Sequence, residues 1–263
     1  MEYFGLAASF LMGILLGLIG GGGSILTVPI FVYLFNIDPI QSTIYSLFVV
    51  GVTSLAGAYS HFRKGNINLK AAFIFGIPSI AGILITRKFI LPLIPDPVFT
   101  SGNYELSKGT AILMLFAMLM ITASYSMIRN KVIIRQGPVS NNPLGLIILE
   151  GLVVGGLTGL VGAGGGFLII PALVILSGIP MKQAVGTSLL IITVKSLSGF
   201  ISDLPTANHM DYHFLIIFSL FAIAGILTGS NLSLIIDSKK LKPAFGWFVL
   251  LTGLAIIINE LRH

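Results

Sequence analysis

Apolar residues form ten runs along the chain, separated by short polar or charged loops. The runs fall at 4–19, 25–35, 42–60, 69–86, 110–128, 144–161, 167–177, 184–201, 212–229 and 243–259. Crossing a bilayer takes about 20 helical residues, and most of the runs approach that length. The runs at 25–35 and 167–177 are too short, because a helix of that length covers only about half of the hydrocarbon thickness. The pattern predicts an all-α integral membrane protein.

The composition agrees with this fold class. The 263 residues are 55% hydrophobic and 9% charged, with a mean hydropathy of +1.01, whereas a soluble domain carries about 25% charge. The net charge of +6 comes from Lys and Arg in loops, so we expect a lipid bilayer and not nucleic acid as the partner. The chain has no Cys and no HExxH, GxSxG or Walker motif. We therefore expect no catalytic residue, no metal site and no cofactor.

A string of glycines interrupts the apolar pattern twice, at Gly20–Ser24 and at Gly162–Gly166. Because glycine is about 1 kcal/mol worse than alanine in a helix interior, each string is expected to break a helix. A proline follows five residues after each string, Pro29 and Pro171. Irregular backbone at membrane depth is tolerated only where it lines a cavity or is buried in protein. Each string therefore predicts a broken helix beside a ligand cavity.

The chain is an internal repeat. A shift of 142, which places Gly20 on Gly162, superposes residues 13–60 on 155–202 with 20 identities in 48 positions. Each repeat is predicted to contain a glycine-broken helix pair, re-entrant or half-length, and about three membrane-spanning helices. Within one transmembrane domain we expect a first repeat at 1–128, a polar linker at 129–143 and a second repeat at 144–263.

The loop charges favour inverted repeats. If each broken segment dips in and returns, or crosses as two short helices, ten Lys and Arg residues lie on one side and four on the other, namely Arg87, Lys88, Lys108 and Arg262. Parallel repeats would give seven against seven. Because cytoplasmic loops are rich in Lys and Arg, the uneven count predicts inverted repeats with both termini outside the cytoplasm. Inverted repeats with broken helices near the midplane are typical of secondary transporters.

Each break exposes backbone amides at a helix N-terminus, where the helix dipole favours an anion. The expected donors are Gly22, Gly23 and Ser24 in the first repeat and Gly164, Gly165 and Gly166 in the second. We expect a small anionic substrate between the two breaks, which face one another across a pseudo-two-fold axis. The alternative is that the glycines only permit close packing, as we expect for Gly13, Gly17, Gly155 and Gly159.

The helices after the breaks carry further polar residues. Ser46, Thr187 and Ser188 are candidates for lining the cavity, although Ser and Thr also bond to their own helix. Lys195 is the most informative residue, because a lysine deep in a membrane helix is costly unless it is paired or hydrated. It is expected to bind the anion, to pair with Glu150, or to extend to the interface.

Two residues are candidates for coupling transport to a proton or sodium ion. They are Glu150, and His61 in a basic turn that has a solvated turn as its alternative reading. His209 and His213 have a spacing able to hold a metal, but no third ligand is evident, so we expect an interfacial loop there.

Three stretches carry a resemblance to a known family: Gly17–Pro29, Gly159–Pro171 and Ala184–Ser188. Together they resemble the TauE/SafE sulfite exporter family over the whole chain. The resemblance implies a transporter in a bacterial or archaeal cytoplasmic membrane for sulfur-containing anions such as sulfite, sulfoacetate, thiosulfate or other organosulfonates. The halves differ at Thr43–Ser46 and Val185–Ser188, so they are expected to contribute unequally. A passive anion channel and a membrane accessory protein or enzyme of sulfur metabolism are the alternatives.

Overall fold

The computed structural model describes residues 2–101, 104–128, 144–176, 178–205, 210–233 and 238–261. The predicted linker at 129–143 and His209 lie outside the described residues. In the described part of the chain, five helices fall in each repeat if a helix that continues through a 3₁₀ or π turn is counted once.

The first repeat contains α1 (Glu2–Ile19), α2 (Gly22–Leu34), α3 (Pro39–Arg63), α4 (Leu69–Leu93) and α5 (Lys108–Ile128). The second contains α6 (Leu144–Val161), α7 (Gly166–Leu176), α8 (Met181–Asp203), α9 (Tyr212–Leu232) and α10 (Ser238–Glu260). A short antiparallel hairpin of β1 (Phe99–Ser101) and β2 (Tyr104–Leu106) precedes α5. Because the ten helices match the ten apolar runs, the predicted all-α membrane fold is confirmed.

The lengths of the helices fit membrane crossing. Among the described residues, five helices are long and apolar enough to span a bilayer: α3, α4, the Lys108–Tyr125 part of α5, α8 and α9. Shorter apolar segments lie in α1, α2, α6 and α10. The chain is therefore a multi-pass membrane protein, with a broken pair before three further helices in each repeat.

Helix α4 is longer than the sequence predicted. We placed Arg87 in a loop after an apolar run ending at 86, and this prediction is wrong. The helix changes to a π turn at Thr86–Ile90 and continues to Leu93, and Arg87 is only 3% exposed. The residues that follow the basic pair Arg87–Lys88 are again apolar, so the helix continues as an apolar segment beyond the pair. Arg87 is accommodated because Asp203 lies against it.

Helices of each repeat pack against helices of the other repeat. Helix α1 lies against α9, and its repeat equivalent α6 lies against α4, while α3 packs on α8 and α5 on α10. The backbones approach closely at small residues. A Cβ on Gly13 would lie 2.1 Å from the carbonyl oxygen of Ala222, and one on Gly155 would lie 2.1 Å from that of Ser79. Gly17 and Gly159 make similar contacts, so the predicted packing role of these four glycines is confirmed.

Helices α3 and α8 cross the centre of the bundle in opposite directions. Leu47, near the start of α3, lies against Gly199 near the end of α8, whereas Gly57 lies against Leu189. Because α3 and α8 are repeat equivalents, this order agrees with inverted repeats, which stay a prediction for the whole chain.

The first broken segment folds back on itself. Gly23 of α2 packs against the backbone of Leu16, and Gly5 near the start of α1 packs against the ring of Phe35 just beyond α2. Helix α2 therefore returns to the end of the bundle at which α1 begins. Of the two forms that the sequence left open, the first break has the re-entrant one.

Candidate functional site

The two glycine bends meet at the centre of the bundle. A Cβ on Gly166 would lie 2.3 Å from the Cα of Gly21, and both residues face Ile192, the middle residue of α8. The bends require glycine, since φ is positive at Gly20 (68°), Gly21 (121°), Gly162 (74°), Gly164 (64°) and Gly165 (73°). Because Gly21 and Gly166 touch, the open hollow expected between the breaks is absent at this contact.

The first bend is held by two serines. Ser24 Oγ donates to the carbonyl oxygen of Gly21 at 2.7 Å, so Ser24 closes the turn. Ser188 Oγ of α8 shares its one proton between the carbonyl oxygens of Gly20 at 2.7 Å and Val185 at 2.8 Å, and thereby joins the second repeat to the first bend. The amides of Gly22 and Gly23 donate no hydrogen bond to any described residue, and both residues are buried.

The second bend carries the buried cation. Lys195 is 0% exposed, and its Nζ donates to Thr158 Oγ1 at 2.9 Å. A Cβ on Gly165 would lie 3.0 Å from the same Nζ, which places the ammonium group directly at the bend. No carboxylate among the described residues pairs with Lys195.

This geometry decides between the roles expected for Lys195. The side chain does not extend to the interface, because Nζ is buried against Thr158. It does not pair with Glu150, which lies eight residues before Thr158 on α6, about 12 Å along the helix axis. Glu150 is half-buried, and its Oε2 atom has no hydrogen-bond partner among the described residues.

Further unpaired donors surround the second bend. The amides of Gly164 and Gly166 donate no hydrogen bond within the described chain, whereas Gly165 N donates to Ala163 O at 2.6 Å. Ser196 Oγ is buried without a partner and lies 3.4 Å from where a Cβ on Gly164 would be. The second bend thus has an amino group, two amides and a hydroxyl beside it, and no carboxylate among the described residues pairs with Lys195. Such a set of donors can hold a small oxyanion.

Of the remaining predicted residues, Thr187 is engaged elsewhere, whereas Ser46 and His61 are buried with unpartnered polar atoms in the described chain. Thr187 Oγ1 accepts from the backbone N of Asn68 at 2.9 Å, so it positions the start of α4. Ser46 is buried on α3 and its hydroxyl has no partner in the described chain. His61 is buried at the end of α3 with both ring nitrogens unpartnered there, so a solvated turn is the wrong description of it.

Sequence reasoning missed Thr158. The repeat itself carries the signal for Thr158, because the shift of 142 aligns Leu16 with Thr158 and Thr53 with Lys195. The second repeat therefore has a more polar residue than the first at both positions, and the alignment alone indicates that Thr158 and Lys195 belong together. Arg87 was missed because it was assigned to a loop.

A surface depression of about 380 Å³ lies elsewhere, around the start of α3. It is lined by Phe35, Asn36, Ile37, Asp38, Gln41, Tyr45, Asp211 and Phe214. None of the predicted site residues lines it, and its two carboxylates oppose an anion. The glycine bends therefore stay the candidate site.

Comparison with known proteins fixes the family. The family model described as "Sulfite exporter TauE/SafE" matches residues 5–256. The chain belongs to the TauE/SafE family. Its relatives include the probable membrane transporter protein YdhB of Bacillus subtilis, 29% identical over 94% of this chain and 97% of that protein. The probable membrane transporter protein MJ0441 of Methanocaldococcus jannaschii is 32% identical over 77% of this chain and 72% of that protein.

No solved structure matches the chain. The TauE/SafE match and the names of these relatives identify a membrane transporter. The glycine strings, Lys195 and Thr158 all fall inside the residues that the family model covers.

Proposed function

We propose that this TauE/SafE protein is a secondary transporter of a small anion, a sulfur-containing oxyanion or organosulfonate, and that it binds the anion at the second glycine bend. The observation that carries the proposal is Lys195, a fully buried lysine beside Gly165 whose hydrogen bond goes to a neutral hydroxyl. A buried ammonium group without a counter-charge is costly in a membrane protein. An anion that enters with its own charge removes that cost.

The donors match the substrate class. A sulfite, thiosulfate or sulfonate group presents three oxygens, and Lys195 Nζ retains two donors after its bond to Thr158. The amides of Gly164 and Gly166 and the hydroxyl of Ser196 supply further donors without bringing bulk. The printed description of the family supports sulfite as the first anion to test.

Binding requires the bends to separate, because Gly21 and Gly166 are in contact. We assign the described arrangement to a closed state of the transporter. The antiparallel contacts of α3 and α8 support two inverted repeats that move relative to one another around the bends. We place the protein in the cytoplasmic membrane with both termini outside the cytoplasm, as the loop charges predict. Glu150 and His61 are the candidates for a proton or sodium coupling site.

The test is anion flux into proteoliposomes that contain wild type, Lys195→Met or Thr53→Val. Lys195→Met keeps the length of the side chain and removes the charge, and we expect it to lower sulfite flux by roughly 100-fold. Thr53 is the repeat equivalent of Lys195, so Thr53→Val is the matched control and is expected to change flux by less than about twofold.

Flux of wild-type size in Lys195→Met would refute the site. Wild-type flux that rises linearly with sulfite concentration and ignores proton and sodium gradients would indicate a channel in place of a transporter. A thermal-shift screen against sulfite, thiosulfate, sulfonates, sulfate and carboxylates ranks the substrates, since a ligand stabilises the folded state in proportion to its saturation.

A further inference from the structure

Arg87 forms a buried ion pair that the central site does not use. Its Nη1 donates to Asp203 Oδ2 at 2.7 Å, and the Arg87 side chain is 0% exposed. The Nε and Nη2 atoms of Arg87 are also buried and have no hydrogen-bond partner in the described part of the chain. These two atoms form one edge of the guanidinium group, so a complete donor fork is left free in the protein interior.

The pair lies along the same helices as the central site. Arg87 is the second residue of the π turn of α4, whose first residue, Thr86, packs on Gly159 of α6, the neighbour of Thr158. Asp203 is the last residue of α8, eight residues beyond Lys195 or about 12 Å along the axis. The interface of α4, α6 and α8 therefore holds Lys195 at its middle and Arg87 at its end. A π turn inside an α-helix often marks a functional position.

The repeat shows that the fold does not require this ion pair. The shift of 142 aligns Asp203 with His61, and the shift of 143 that holds after the one-residue insertion aligns Arg87 with Ser230. At that opposite end the Ser230 hydroxyl lies 3.3 Å from that of Ser60, and the His61 ring has no partner among the described residues. Among the described residues the equivalent end is thus packed without an ion pair, which leaves the charged pair free for a separate role.

We propose that Arg87 is a second oxyanion site, at the end of a path from Lys195, and that Asp203 is its built-in competitor. The free Nε–Nη2 edge makes two parallel hydrogen bonds to a sulfonate, sulfite or carboxylate group. An anion there shares the guanidinium charge with Asp203 and weakens the contact between α4 and α8. When the anion leaves, the ion pair re-forms and closes that end. The inference rests on the proposed function only for the class of anion.

The first test is rescue of Asp203→Asn by anions, with full-length protein in detergent. The variant leaves Arg87 without its carboxylate, and we expect Tm in chloride to fall by roughly 10 °C. Sulfite or methanesulfonate at matched ionic strength is expected to restore at least half of that loss in a saturable way. In the double variant Arg87→Lys/Asp203→Asn the cation remains but the fork is lost, so rescue is expected to need roughly tenfold more anion. An equal loss of Tm at every anion concentration overturns the proposal.

A second variant separates this site from the central one. In Lys195→Met/Asp203→Asn we expect rescue to persist, because Arg87 is intact. Loss of rescue there would show that the anion acts at Lys195, and the second site would be refuted. If wild-type protein carries no flux of any tested anion but rescue persists, the proposed transport function fails and the Arg87 site stands.

A binding measurement covers the case in which Asp203→Asn does not fold. Wild type and Arg87→Lys, which retains a cation beside Asp203, are titrated with radiolabelled sulfite. We expect two anions per chain for wild type and one for Arg87→Lys. One anion per chain in both proteins overturns the proposal.

Discussion

The two glycine bends share a backbone plan and differ in charge. At the second bend Lys195 Nζ reaches Thr158 Oγ1 at 2.9 Å. At the equivalent positions of the first repeat stand Thr53, whose hydroxyl has no partner among the described residues, and Leu16, which packs on Gly23. Both repeats thus have an irregular backbone at the glycine string, and the second bend also has Lys195 beside it.

Typical free energies indicate what the glycine bends and Lys195 each contribute to anion binding. A helix N-terminus stabilises an anion by about 0.3–1 kcal/mol, and a hydrogen bond to a charged group by about 1.5–3 kcal/mol. The bends therefore supply shape and a modest attraction, while Lys195 decides the sign of the ligand. If so, backbone changes at either bend should damage the fold, and charge changes should act differently in the two repeats.

The largest effect is expected where the bends touch. Gly166→Ala places a methyl group 2.3 Å from the Cα of Gly21, and backbone cannot move aside as a flexible side chain can. We expect a loss of more than about 3 kcal/mol in stability and little folded protein. Size-exclusion chromatography and thermal unfolding in detergent measure both.

Gly145→Ala is the matched control, because a Cβ at Gly145 meets no atom within 4 Å. It lies in the first turn of α6 and is expected to leave stability unchanged or slightly raised. Equal behaviour of the two variants would mean that the bends are not packed as described.

Much of this packing could be predicted from the sequence. The apolar runs predicted the ten helices of the described residues, and the repeated glycines placed both breaks correctly, since positive φ and buried backbone both demand glycine. The direct contact of Gly21 with Gly166 was not predictable, because nothing in a single sequence tells how far apart two facing bends lie. The continuation of α4 through Arg87 was missed because its neutralising partner, Asp203, is distant in sequence.

Charge changes should have opposite signs in the two repeats. Thr53→Lys adds a cation where the partner position is Leu16, and we expect it to destabilise the protein by about 3 kcal/mol. Lys195→Met removes a buried amino group that no carboxylate of the described chain balances, and in buffer free of oxyanions we expect it to stabilise by about 1–2 kcal/mol. Thermal unfolding measures both. A lower Tm for Lys195→Met would show that Lys195 holds the fold together and is not reserved for a ligand.

The site was less predictable than the fold for a physical reason. The sequence identified Lys195 by its cost in a membrane, but an anion, a pair with Glu150 and an extension to the interface each answered that cost. Only the three-dimensional arrangement separates Thr158 from Glu150, which lie on the same helix two turns apart. The serines were harder still, because a hydroxyl can bond to its own helix, to another backbone or to a ligand.

The smallest effects should come from one pair of equivalent serines. Ser188 Oγ donates to the carbonyl oxygen of Gly20 at 2.7 Å, whereas Ser46, its repeat equivalent, is buried without a partner in the described chain. Ser188→Ala leaves a buried carbonyl with one bond fewer and is expected to cost about 1 kcal/mol. Ser46→Ala removes an unsatisfied hydroxyl, so stability should stay unchanged or rise by a few tenths of a kcal/mol. Thermal unfolding without anion measures this difference. If Ser46→Ala proved the more damaging of the two, the Ser46 hydroxyl would have to be bonded in the folded protein, as the hydroxyl of Ser188 is.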